Sequence, residues 1–150
     1  MARHYDKGKF VPQNPQKYVG DVNNIVWRSS WEKQFLRWCD VNPSVLKYSS
    51  EEVVIPYIHP MDNKPHRYFP DMMLELQKRD GTVEKVMVEI KPSKECVPPA
   101  PTKNKKTLTE ATITYMINQA KWKAAQAFCQ KHGMRFVVLT EKELFKNAKH

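Results

Sequence analysis

No stretch of the sequence approaches the roughly 18 consecutive apolar residues that a membrane-spanning helix needs, which excludes a helical membrane protein. The opening residues Met1-Ala2-Arg3-His4-Tyr5-Asp6 lack the apolar core of a secretory signal. The expectation is therefore a soluble protein not exported by that route. Cysteine is scarce: Cys39, Cys96 and Cys129 are odd in number and widely spaced, and they form neither a C-x-x-C pair nor a zinc set. Cys39 and Cys129 fall in helical patterns beside aromatic residues and read as packed thiols in a reducing, intracellular environment. Internal repeats and an interdomain linker are also missing. At 150 residues the chain has the size of one domain that buries its own core. The reading is a single domain over 1–150, with an N-terminal arm at 1–26 and a core at 27–150.

What is present is positive charge. Lys and Arg number 25 against 16 Asp and Glu, a formal net charge of +9. Such an excess favours a polyanion through counterion release and steering. It serves an anionic membrane or an acidic protein equally well, so charge proposes a partner without naming a reaction.

The arm carries basic and polar residues with no convincing period and touches the core at Tyr18-Val19. A first helix starts at Ser29-Ser30, where Trp31, Phe35 and Trp38 recur at helical spacing and Leu36 and Cys39 widen the stripe. Asn42-Pro43 ends it. Three strand-like stretches follow. Glu51 to Ile58 is rich in β-branched and aromatic residues. Arg67 to Gln77 comes after a turn-rich connection over Pro60 to Pro65. Val83 to Lys91 returns through the Asp80-Gly81 hairpin signal. Residues 92–106 form a basic, proline-rich loop. A long helix is predicted over Thr109 to Lys131, with Ile113, Ile117, Ala120, Ala124 and Ala127/Phe128 along one side and Gly133 as its C-terminal stop. Arg135 to Leu139 reads as a last strand. Thr140 and Glu143 have the spacing of a capping box for a short final helix. The order is α, β, β, β, α, β plus a terminal helix, an α+β arrangement.

Strand alternation isolates the residues able to do chemistry. With Val86, Val88 and Ile90 facing a core, Glu89 and Lys91 share the opposite face, roughly 7 Å apart along the strand. Asp71, directly after Pro70, lies on the preceding strand, and the hairpin makes the two strands neighbours. Two carboxylates and a lysine on one sheet face suit phosphodiester hydrolysis. Mg²⁺ takes hard oxygen ligands, here Asp71, Glu89 and the Ile90 carbonyl, and would activate water and neutralise charge on the phosphate. Lys91 is placed to orient that water or to stabilise the transition state. The plain alternative is a solvated Glu-x-Lys pair beside an ordinary Pro-Asp turn.

Other residues are more ambiguous. Glu32 on the first helix is in reach of such a metal, yet Ser29 and Glu32 also have capping-box spacing. Gln119 on the second helix is a further site candidate, whereas Lys121 and Lys123 read as a solvated face. His59 and His66 flank the strand connection and form either a metal pair or, more commonly, surface loop histidines. Lys94, Lys103, Lys105 and Lys106 in the loop after Lys91 are candidates for contacts to DNA phosphates.

Glu32, Pro70-Asp71 and Glu89-Ile90-Lys91, in this element order, resemble the PD-(D/E)xK nuclease superfamily. That resemblance implies a restriction-endonuclease-like αβββαβ core, a central mixed sheet flanked by helices. It also implies Asp71 and Glu89 as metal ligands, Lys91 as the catalytic lysine and Glu32 as an ancillary acid, with Mg²⁺ as cofactor and Mn²⁺ able to substitute. A longer set, Tyr18-Val19-Gly20, Arg28-Ser29-Ser30-Trp31-Glu32, Asn42-Pro43, Tyr68-Phe69-Pro70-Asp71 and Val88-Glu89-Ile90-Lys91-Pro92, is similar to the head-completion nucleases of T-even-type tailed phages. This implies action on double-stranded or branched phage DNA after packaging, in the host cytoplasm at the phage head, with capsid or portal proteins as further partners. Two other expectations stand beside it: a non-catalytic DNA-end-binding or capsid-binding head-completion protein on a nuclease fold, and a basic interaction module for capsid protein.

Overall fold

The computed structural model describes residues 7–148, and side chains as far as Leu144. Strand β1 (Gly8–Lys9) pairs antiparallel with β2 (Val26–Trp27). Helix α1 runs over Ser30–Val41, capped at its start by Ser29 Oγ, which accepts the Glu32 N–H at 3.2 Å. Strands β3 (Val45–Ser50), β4 (Ile55–Ile58), β5 (Pro65–Tyr68), β6 (Met72–Gln77) and β7 (Val83–Ile90) follow. The long helix α2 covers Lys105–Lys131, then β8 (Arg135–Leu139) and α3 (Glu141–Ala148) close the chain.

The central sheet has the order β3-β6-β7-β8, with β8 parallel to β7 and the other neighbours antiparallel. It is mixed because α2 carries the chain from the end of β7 back to the start of β8, and such a crossover joins parallel strands. The αβββαβ order expected from the sequence is present, but the segments are distributed differently. The first strand of the sheet is β3, which the sequence reading passed over. The expected strand over 51–58 is only Ile55–Ile58 and belongs to a separate hairpin with β5. The expected strand over 67–77 breaks at Phe69-Pro70-Asp71. Its first part serves that hairpin and its second part the central sheet. Proline at position 70 has no N–H to donate to a ladder, which favours a break there.

Alternation along β7 decides how both sheet faces are covered. Val86, Val88 and Ile90 join Met72, Leu74, Phe35, Leu36 and Cys39 beneath α1. Met87 points the other way, into a second cluster with Trp122, Ala125 and Cys129 of α2 and with Ile55, Tyr57 and Tyr68 of the hairpin. Each large apolar side chain so buried contributes about 1.5–3 kcal/mol. Ile117, Ala120, Ala124 and Phe128 of the stripe expected on α2 pack, partly buried, against this second cluster; the fully buried line beside them is Asn118, Trp122, Ala125 and Cys129, and Ala127 is exposed.

The N-terminal segment is packed more firmly than an extended arm. Tyr18 and Ile25 belong to the core, and Val19 donates its N–H to the Tyr48 carbonyl at 2.8 Å. Asp40, almost fully buried at the end of α1, accepts the N–H groups of Gln13 and Asn14 and the Tyr48 hydroxyl. Lys17 Nζ donates to the Cys39, Asp40 and Asn42 carbonyls, satisfying acceptors that a helix C-terminus leaves open. The turn and cap signals are found where expected. Gly81, at φ +87°, closes the β6–β7 hairpin, Gly133, at φ +67°, follows α2, and Glu143 caps Thr140 through its N–H and hydroxyl. No helix among the described residues is long and apolar enough to cross a membrane.

Candidate active site

The β6–β7 ladder ends at the pair of Met72 and Val88, and Asp71, the residue directly before β6, feels the charge of Glu89, the residue directly after that pair. Asp71 sits just after the Phe69-Pro70 break, with its carbonyl accepting the Glu51 N–H at 3.1 Å. Its Oδ2 accepts the Ile90 N–H at 2.7 Å, which ties it to the strand carrying Glu89. Lys91, half-buried at the end of β7, donates its N–H to the Leu139 carbonyl of β8.

The face carrying Glu89 is covered rather than solvated. Glu89 is only 5% exposed, between β7 and the polar line on α2. The Tyr68 hydroxyl, Glu89 Oε1, Asn118 Nδ2 and Trp122 Nε1 are all buried without a hydrogen-bond partner among the described residues. Tyr68 nevertheless lies against both Glu89 and Trp122, and burial followed by the Glu89 charge pushes its phenol far above the ordinary range. Buried polar groups left this way are costly, and one of them, the Tyr68 hydroxyl, lies against the Glu89 carboxylate.

Charge is concentrated at the same place. Burial, then the Glu89 and Glu32 carboxylates, raise the Asp71 carboxyl well above its usual range, and the Ile90 N–H and Lys91 oppose that rise. Three acids are therefore close enough to feel one another. Lys121 is the residue the sequence reading missed. Instead of lying on a solvated face, it is half-buried, with Nζ 5.7 Å from the Tyr68 ring centre and 5.9 Å from that of Tyr57. Burial and the neighbouring Lys91 lower its pKa, while Glu89 and Asp71 act in the opposite sense. Helical geometry was the available signal: Lys121 flanks the buried pair Asn118 and Trp122.

Glu32 sits in the first turn of α1, within electrostatic reach of Asp71. Its N–H is capped by Ser29, its Oε2 accepts the Arg28 N–H at 3.0 Å, and its charge reaches Asp71. Gln119 is not brought in with this group; it is exposed beside the groove between α2 and β8, near Phe136 and Val138. Ile90 is buried, with its N–H committed to Asp71. Lys94, Lys103, Lys105 and Lys106 are exposed, as expected for groups that meet phosphates. The segment is more ordered than a loop, however. Lys94 lies in a 3₁₀ turn (Ser93–Glu95), Ser93 is hydrogen-bonded to Glu141, and Lys105 and Lys106 open α2.

The donor set fits a hard divalent cation. Asp71 and Glu89 supply carboxylate oxygens, one of them buried and unpartnered, in a place where like charges crowd. His59, Asp62 and His66 form a different cluster at the tip of the β4–β5 hairpin.

Comparison with known proteins bears on this arrangement. A family model described as TnsA-like endonuclease N terminal matches residues 42–141, a span that includes Asp71, Glu89, Lys91 and Lys121. The head completion nuclease of Enterobacteria phage T4 is 41% identical over 139 residues, covering 89% of this chain and 90% of that protein. No solved structure matches significantly. The mixed sheet between helices is a restriction-endonuclease-like fold, and the chain belongs to the TnsA-like endonuclease family of PD-(D/E)xK nucleases, as a relative of the T4 head completion nuclease.

Proposed function

We infer that this nuclease is a Mg²⁺-dependent endonuclease that hydrolyses phosphodiester bonds of phage DNA during head completion, after packaging. The observation that carries the reading is Asp71, fastened to β7 by the Ile90 N–H, beside the charge of Glu89 and with Lys91 directly after that strand. Asp71, Glu89 and the Ile90 carbonyl would hold the metal, with Mn²⁺ able to replace Mg²⁺. When bound, the ion supplies a water of lowered pKa and neutralises charge on the phosphate.

The protein's own groups do the rest. Lys91 orients the attacking water and stabilises developing negative charge. Lys121, with Nζ over the Tyr57 and Tyr68 rings and within electrostatic reach of Glu89 and Asp71, adds a second cation facing the phosphate. Glu32 is an ancillary acid on the α1 side. Tyr68 lines the pocket of the Glu89 carboxylate. Lys94, Lys103, Lys105 and Lys106 hold the DNA backbone by phosphate contacts that position without reading sequence. A net charge of +9 supports the same partner. The name of the T4 relative supports the setting at the phage head in the host cytoplasm, where capsid or portal proteins are the further partners.

Incubation of the purified chain with plasmid and branched DNA tests this reading. Cleavage is expected with Mg²⁺ or Mn²⁺ and not with EDTA. Asp71→Ala and Glu89→Ala abolish it while circular dichroism shows an unchanged fold. Equal cutting by both variants would remove the assignment of the site.

A further inference from the structure

The tip of the β4–β5 hairpin gathers three metal-ligating side chains that the nuclease chemistry does not use. His59, Asp62 and His66 each place a ligand atom within 4.8 Å of the other two. The hairpin builds this arrangement. Ile58 pairs with Pro65 and Tyr57 with His66, after which His59 donates its N–H to the Lys64 carbonyl at 2.9 Å and Asn63 donates back to the His59 carbonyl at 2.8 Å. His59 and His66 thus emerge on the face that carries Tyr57, their rings 4.4 Å apart. Asp62 is aimed back at them, with its Oδ2 2.8 Å from His66 Nε2.

From this juxtaposition we propose that His59, Asp62 and His66 form a second metal site, selective for a borderline divalent transition ion such as Zn²⁺ rather than for Mg²⁺. Two imidazoles and one carboxylate suit that class, whereas all-oxygen sets suit Mg²⁺. Tetrahedral Zn²⁺ with bonds of about 2.0–2.1 Å needs ligand atoms about 3.3 Å apart. The His66–Asp62 pair opens slightly to reach that spacing, and His59 closes in. Asp62 is exposed and His59 and His66 are only partly buried, and none of the three belongs to either core cluster, so these adjustments disturb no core packing. Solvent supplies the fourth ligand. The contacts that the ion displaces are weak: the Met61 N–H donated to His59 Nδ1 at 3.1 Å and the surface His66–Asp62 pair.

The site has a structural consequence for the candidate active site. The Tyr57 ring lies 6.2 Å from His59, 6.0 Å from His66 and 5.9 Å from Lys121 Nζ. A metal that clips the hairpin tip therefore stiffens the element holding one of the two rings around Lys121. The proposal does not rest on the nuclease reading.

Co²⁺ titration of the full chain, with Mg²⁺ at saturation to occupy the carboxylate site, tests it. One equivalent of Co²⁺ is expected to bind with the visible absorption of a four-coordinate ion, and Zn²⁺ should displace it. His59→Gln and His66→Gln each weaken binding by more than about 10-fold, since even outer-shell partners of a metal are worth that much. Asp71→Asn leaves it unchanged. In the wild-type protein Zn²⁺ shifts the ring resonances of His59 and His66 in NMR spectra, a readout independent of any variant. Absence of those shifts, Co²⁺ binding indifferent to both histidine variants, or binding lost in Asp71→Asn would each overturn the proposal.

Discussion

The Asp71 carboxylate accepts the Ile90 backbone N–H at 2.7 Å, so the acid just before β6 is fastened to the strand that carries Glu89 and leads into Lys91. The bond orients one oxygen and leaves the charge of Asp71 facing Glu89 and Glu32. Repulsion among these acids is stored in the fold, as is common where a site is built to receive a cation.

Asp71→Asn separates those two effects. The amide oxygen still accepts the Ile90 N–H, but the like-charge repulsion is gone. Without metal the variant is expected to be more stable by about 1 kcal/mol, or about 2–4 °C in Tm for a chain of this size. Cleavage should fall to background. Thermal unfolding in EDTA, paired with a plasmid-nicking assay, measures both.

The pH dependence follows from the direction of the Asp71 shift. A carboxyl raised above its unfolded value favours the folded state while it is protonated. That contribution is complete below about pH 4, the unfolded value, and is lost as pH rises through the raised folded value. Metal binding needs the ionised form. The metal-free protein should therefore lose stability as pH increases across this window, while the gain in Tm from Mg²⁺ grows. The Asp71-dependent part of the slope should vanish in Asp71→Asn, as read by paired melts with EDTA and Mg²⁺.

Lys121 gives a test that a merely structural lysine would not pass. Lys121→Met keeps an unbranched stem between Tyr57 and Tyr68 and removes the charge. Because burial already disfavours that charge, Tm should hold or rise. The value of kcat should fall about 10²-fold, as for other donors facing transition-state charge. Single-turnover cleavage at saturating DNA measures it.

The two roles of Glu32 also separate. Ser29→Ala removes the cap on the Glu32 N–H and should cost about 1 kcal/mol, with cleavage unchanged well below Tm. Glu32→Gln retains an acceptor for the Arg28 N–H, so stability should change by less than about 0.5 kcal/mol. Its cleavage rate should nonetheless fall at least about 10-fold, near 1.4 kcal/mol of barrier. Urea unfolding and cleavage rates on both variants check this pair.

Local chemistry was legible in the sequence because its signals are local. Alternation over Val86 to Ile90 separated Glu89 from the core facing α1, the Asp-Gly and Gly133 stops were read from backbone freedom, and Ser29 and Thr140 marked helix starts. Pro70-Asp71 and Glu89-Ile90-Lys91 stood out as a pair of motifs. Tertiary structure decided the rest. Val45–Ser50 joins the sheet because β6 pairs with it, although Lys47, Ser49 and Ser50 hide any apolar run. The break at Phe69-Pro70 sends two halves of one apparent strand into different sheets. The stripe of Ile117, Ala120, Ala124 and Phe128 read on α2 forms only one edge of its buried face. Its packed line also includes Asn118 and Trp122, which brings Lys121 within electrostatic reach of the acids and leaves Gln119 outside. Sequence alone determined which residue types were available for metal and phosphate chemistry. Burial between β7 and α2 decided which of them meet, because periodicity describes one element and a site requires the packing of two.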